Sequence, residues 1–105
     1  MIFEYLTDTG FVSADYAQTL EEATYLAAQR VPDLITADDR LLRGSGVDAV
    51  RQVCRGRAFP VVFVVADPTH VKRAIPDAIV LLKPFSGDSL TIAVRLAENV
   101  PLSFE

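Results

Sequence analysis

Between Pro60 and Asp67-Pro68 the chain reads Val61-Val62-Phe63-Val64-Val65-Ala66, a run with no polar side chain. A strand with one wet face alternates polar and apolar residues, so a run apolar throughout needs cover on both faces, as in the middle of a parallel sheet. That need constrains everything else. Helices must supply both covers, and strands and helices must therefore alternate along the chain.

The flanking sequence supplies the other elements. Thr19-Leu20-Glu21-Glu22 has the spacing of a helix-opening capping box, and Leu20, Ala23 and Ala27 share one face through Arg30. Pro32 ends that helix, and Leu34 to Ala37 form the next strand. Gly44-Ser45-Gly46 is a turn before a helix from Val47 to Arg55 with Val47, Val50 and Cys54 on one stripe. Asp67-Pro68-Thr69 opens a short helix or loop carrying His70. Ala78 to Leu82 is a buried strand running into Lys83-Pro84-Phe85; Ser86 then caps a helix from Asp88 to Asn99, which Pro101 ends. Upstream, Asp8-Thr9-Gly10 is a turn and Phe11 to Ala14 a strand, whereas Met1 to Leu6 suit a last helical turn or a short strand equally. In the last helix Leu90, Ala93, Val94 and Ala97 point inward, and Ile92 and Leu96 add a second stripe that needs a partner chain or the tail residues Leu102 and Phe104 to cover it.

Composition closes off several functions. A chain of 105 residues, half of them hydrophobic, makes one folded domain. A net charge of -4 gives no general basic surface for nucleic acid, and Arg40, Arg43, Arg51, Arg55 and Arg57 read as a solvated helix face. Cys54 is the sole cysteine, so it forms no internal disulfide and reads as a small core residue. His70 has no second His or Cys to complete a metal site and reads as a surface residue. No apolar run reaches membrane-spanning length and the start lacks a signal-peptide layout, so no membrane association and a cytoplasmic location are expected. Gly44-Ser45-Gly46 does not open directly from a strand, which favours turn chemistry over phosphate binding.

One position invites chemistry. Asp38 follows the Leu34 to Ala37 strand, and in open parallel sheets the loops at the carboxyl ends of strands form the crevice where sites occur.

Several short motifs in order then carry a family resemblance: Pro32-Asp33-Leu34 leading to Asp38 and Leu41, Gly46-Val47-Asp48-Ala49-Val50, Phe59-Pro60-Val61-Val62-Phe63, and Lys83-Pro84-Phe85 with Leu90. From about Gly10 to Glu98 the chain resembles the receiver domain of two-component response regulators. The resemblance implies an α/β, flavodoxin-like (receiver-like) open parallel sheet with helices on both faces, a cis peptide between Lys83 and Pro84, and a strand-end aspartate that takes a phosphoryl group from the phosphohistidine of a sensor histidine kinase or a phosphotransfer protein. By position Asp38 matches that phosphoacceptor and Lys83 the lysine that contacts the phosphoryl group. Asp38 is likewise the position that matches a ligand of the family's Mg²⁺. The implied role is phosphorelay signalling with no enzymatic turnover of its own.

The departures from the family pattern are specific. Met1 to Leu6 look like the end of the family's first helix, so the domain is expected to be N-terminally truncated, without the first strand, its acidic pair and most of the first helix. Asp38 with Asp39 is then a poor Mg²⁺ site, because that ion is ordinarily held by carboxylates together with phosphate oxygens and waters, and neither Glu4 nor Asp8 has a context that restores it. Val65 stands where the family places a hydroxyl, and Val80 where it often places an aromatic residue. Losing a central strand leaves backbone groups unpaired. The Phe11 strand pairing with the Leu34 strand, Met1 to Leu6 filling the gap, or a second copy would each repair it; a homodimer using the last helix or the amino end is favoured, with Ile92, Leu96 and Phe104 as surplus apolar surface. The alternative function is a degenerate pseudo-receiver, an interaction module without phosphoryl chemistry. An aspartate-nucleophile phosphatase needs a second, spaced acid, whereas Asp38 and Asp39 are adjacent.

Overall fold

The computed structural model describes residues 19–38 and 45–104. Their order is α1 (Leu20–Gln29), β1 (Ile35–Ala37), α2 (Gly46–Val53), β2 (Val61–Val65), α3 (Thr69–Ala74), β3 (Ile79–Leu82) and α4 (Gly87–Asn99). The three strands form one parallel sheet in the order β1-β2-β3, with Ile35 opposite Val61 and Val62 opposite Ile79. The all-apolar run is thus the middle strand, and every residue of it is buried.

Alternation along β2 divides the core into two layers. Val61, Phe63 and Val65 face one way, into a cluster with Val47 and Val50 of α2, Val71 of α3, Cys54, Ile75 and Leu102. Val62 and Val64 face the other way, against Leu81 and against Leu90, Ala93, Val94 and Ala97 of α4. α1 packs on α2. Helices therefore cover both faces of the sheet, as the resemblance implies.

The helix ends are set by side chains that satisfy orphan amides. Thr19 Oγ1 accepts from the Glu22 N–H at 3.0 Å and Ser45 Oγ from the Asp48 N–H at 3.1 Å. Ser86 Oγ accepts from the Ser89 N–H at 3.1 Å in a reciprocal capping box with Ser89. α2 ends at Val53, two residues short of the expected Arg55, because the chain turns at once through Gly56, whose φ of +73° lies in the left-handed region that favours glycine. The Lys83–Pro84 peptide is cis.

One expectation is corrected by the tail. Leu102 and Phe104 do not cover the second stripe of α4. They fold back under the opposite layer: the Leu102 and Phe59 amides each donate to the other's carbonyl at 2.9 Å, the Phe104 N–H donates to the Cys54 carbonyl at 3.0 Å, and the Gly56 N–H to the Phe104 carbonyl at 2.6 Å. Leu102 is buried and Phe104 packs against the same cluster, so Phe104 is no surplus surface. Ile92 and Leu96 stay exposed, at 61% and 48%. The expectations for Met1 to Ala14, including every remedy for a missing central strand that uses them, lie outside the described residues.

Candidate functional site at the carboxyl edge of the sheet

The carboxyl ends of the three strands define a rim, and alternation carried one residue past each strand decides which side chains share it. Asp38, Ala66 and Lys83 all have the parity of Val62, Val64 and Leu81, so they stand over the same face. The Lys83 N–H donates to the Val65 carbonyl at 2.9 Å, which fixes the lysine backbone beside the end of β2. From there its side chain crosses over β2 to β1, a span of two strand spacings, or about 10 Å between backbones. Lys83 Nζ reaches Asp38 Oδ2 at 2.8 Å. Ala66, between them, is only a methyl group.

Both partners of this pair are about half exposed, 46% for the lysine side chain and 47% for the aspartate. The carboxylate can thus be approached from solvent while a fixed ammonium sits against one of its oxygens. That arrangement suits a carboxylate that gains negatively charged oxygens in a reaction, since a cation already in position stabilises the added charge without reorganising.

The remaining candidates are placed as follows. Val65 is fully buried in the layer opposite Asp38, so it brings a backbone carbonyl to the site and no side-chain group. Val80 is half-buried against the same layer. His70 is exposed on α3, away from any Cys/His/acid cluster, and Cys54 lies in the core, where burial pushes its thiol up to about 11 although a backbone hydrogen bond from Phe59 pulls the other way. The structure adds an acid that the sequence reading used only as a turn signal. Asp67 Oδ1 accepts from the Thr69 N–H at 2.9 Å and the Thr69 hydroxyl at 2.7 Å, and those two bonds hold its carboxyl below the usual range and open α3. An Asp two residues before the first helical position was the signal for it.

A Mg²⁺ site is a poor fit to these side chains. Among the described residues no three acids, histidines or cysteines converge, Asp38 Oδ2 is engaged by Lys83, and Asp67 is committed to Thr69.

No protein-family model matches the sequence. The transcriptional regulatory protein PdtaR of Mycobacterium tuberculosis is 32% identical over 98 residues, covering 90% of this chain and 48% of that protein, so the chain spans about half the length of the curated relatives it matches. Among solved structures, the receiver domain of the PhyR response regulator from Erythrobacter litoralis superposes with a TM-score of 0.81 at 27% identity over 99% of this chain and 83% of that one. The anti-anti-sigma factor PhyR of Bartonella quintana gives 0.78 at 28% identity, over 92% of this chain and 41% of that one. A CheY-like receiver domain from Methylobacillus flagellatus gives 0.74 over 90% and 84%, which at 24% identity speaks for the fold alone.

Proposed function

The chain is a receiver domain of the two-component response-regulator kind, and we propose that it is a phosphoacceptor module of a phosphorelay in which Asp38 takes the phosphoryl group. The donor is the phosphohistidine of a sensor histidine kinase or phosphotransfer protein, and the setting is the cytoplasm. The observation that carries this reading is the 2.8 Å contact between Lys83 Nζ and Asp38 Oδ2 at the carboxyl edge of the sheet. An Asp38 oxygen attacks phosphorus in line, the phosphorus–nitrogen bond to the donor imidazole breaks, and the imidazole nitrogen keeps the electron pair and takes a proton. The product is an acyl phosphate on Asp38, with Lys83 against its new oxygens. The module spends a phosphoryl group supplied by its partner and has no turnover of its own. Receiver domains typically bind Mg²⁺; here Asp38 is the described residue that would contribute to such a site, and no step above depends on the ion.

The test is incubation with acetyl phosphate or phosphoramidate, with and without Mg²⁺, followed by intact mass and peptide mapping. A phosphoryl gain on Asp38 supports the reading. A second reading, a pseudo-receiver that binds partners without phosphoryl chemistry, is favoured by Val65, whose buried side chain offers no hydroxyl to the rim. It predicts no gain in either arm. The same proposal includes a homodimer through the exposed Ile92 and Leu96 of α4. Light scattering at micromolar concentration that returns a monomer mass would remove that part.

A further inference from the structure

Among the described residues, charge is divided between the two edges of the sheet. Parallel strands joined by helices put the helix amino ends at the carboxyl edge and the helix carboxyl ends at the opposite, amino edge. Among the described residues, Glu21, Glu22, Asp38, Asp48, Asp67 and Asp88 lie at the carboxyl edge, with Lys83 as the cation. At the amino edge the balance reverses. Arg51, Arg55, Arg57 and Arg73 gather there with Arg30 and Lys72, against Asp33, Asp77 and Glu98.

Four of these cations lie on adjoining segments of that edge. Arg51 Nη2 donates to the Ala74 carbonyl at 3.0 Å, which brings the second half of α2 against the end of α3 and sets Arg73 beside it. Arg55 and Arg57 follow in the loop after α2, all four are exposed, and Arg57 lies over the Phe59 ring at 5.3 Å. Part of the enrichment has a purely structural cause: a cation near a helix carboxyl end offsets the dipole, and Arg51 and Lys72 are spent on the carbonyls of Ala74, Pro76 and Ala78. Arg73 shares the dipole role in the last turn of α3 but donates to none of these carbonyls, and Arg55, beyond the end of α2, is not accounted for in that way. Among the described residues no acid pairs with Arg55, Arg57 or Arg73, although the chain as a whole is acidic. Like charges held close and uncompensated cost stability. The loop that carries two of them is also unusually well fixed, tied by the Gly56–Phe104, Phe104–Cys54 and Phe59–Leu102 backbone bonds. A rigid base reduces the ordering cost of binding.

We propose that the guanidinium patch of Arg51, Arg55, Arg57 and Arg73 is a docking surface for a partner protein that presents clustered carboxylates. Arginine suits that ligand because its planar fork pairs with carboxylates through two parallel hydrogen bonds. A nucleic acid fits less well: a strongly bound duplex takes about 6–10 phosphate contacts, more than four arginines supply when Arg51 and Arg57 are already engaged. A second copy also fits less well, since the acids of its carboxyl edge are spread over separate helix amino ends that already stabilise them. The patch lies about 16 Å from the Asp38 rim, the length of β2 at about 3.3 Å per residue, and does not depend on phosphoryl chemistry.

The test is fluorescence anisotropy of a labelled oligoglutamate peptide against the full chain at low salt, with Arg55→Glu/Arg73→Glu as the charge-reversed variant. Arg95→Glu on α4 controls for net charge, and circular dichroism checks that each variant is folded. Binding should weaken as salt is raised, fall by about tenfold or more in the double variant, and stay within about twofold in the control. No binding at low salt, or an equal loss in Arg95→Glu, overturns the proposal. So does a single-stranded RNA that binds more tightly than the peptide, or salt-reversible self-association abolished by the same double variant, each of which reassigns the surface. None of these results bears on Asp38.

Discussion

Replacing Lys83 by methionine should separate what the ion pair does for chemistry from what it does for folding. At 2.8 Å the Coulomb attraction to Asp38 amounts to about 1.5 kcal/mol in a water-like dielectric, the appropriate limit for two side chains that are each about half exposed. Holding a lysine in one rotamer costs up to about 1.5–2 kcal/mol, so the net contribution to stability is of the order measured for exposed pairs, about 0.2–1 kcal/mol. A fixed charge aimed at oxygens that become more negative in a transition state is worth far more, about 10²–10³ in rate for one donor. Lys83→Met should therefore shift the urea midpoint only slightly while slowing phosphorylation of Asp38 by about a hundredfold or more, read by intact mass against time in acetyl phosphate. A variant destabilised by several kcal/mol, or one phosphorylated at the unaltered rate, would refute the reasoning.

Other outcomes follow from the packing. Leu102→Ala should cost about 2–4 kcal/mol in urea denaturation, because the side chain is buried against Cys54 and Phe59 and its loss leaves a cavity; an unchanged midpoint would show the tail to be detached in solution. Cys54 should resist a thiol reagent at neutral pH until denaturant is added. Its thiol is raised from 9.0 to about 11 in the fold, so its contribution to stability is fully present below pH 9 and is lost as pH rises through 11, which a Cys54→Ala variant should remove from the alkaline limb of the stability profile. Asp67→Ala should speed amide exchange in α3, since both Thr69 contacts vanish; because the Asp67 carboxyl sits below its ordinary range, acidification through that lowered range should have the same effect on the unaltered protein.

Much of this architecture was legible in the chain because the signals are local. The uninterrupted apolar run at Val61 to Ala66 demanded cover on both sides, and the fold supplies it with α2 and α3 on one face and α4 on the other. Thr19, Ser45 and Ser86 each stood at the spacing of a helix cap or turn. The convergence of Asp38 and Lys83 on one rim was expected from the family resemblance, whereas residue types and spacing alone did not give it, because the contact depends on Lys83 reaching over β2 from a strand that is not adjacent to β1. The tail was misread for a related reason. Leu102 and Phe104 are too short a segment to show periodicity, and what decides their position is backbone pairing with Phe59 and Cys54 more than forty residues earlier. Arg51 is another such case: a guanidinium that caps the end of a neighbouring helix looks, in sequence, like any exposed charge.

The central claim is that Asp38 is a phosphoacceptor, and residue-resolved mass spectrometry after acetyl phosphate treatment tests it most directly. One phosphoryl group on Asp38, absent in Asp38→Asn and sensitive to hydroxylamine as an acyl phosphate must be, is the predicted result. A protein that gains no phosphoryl group, or gains it elsewhere with Asp38 unmodified, contradicts it.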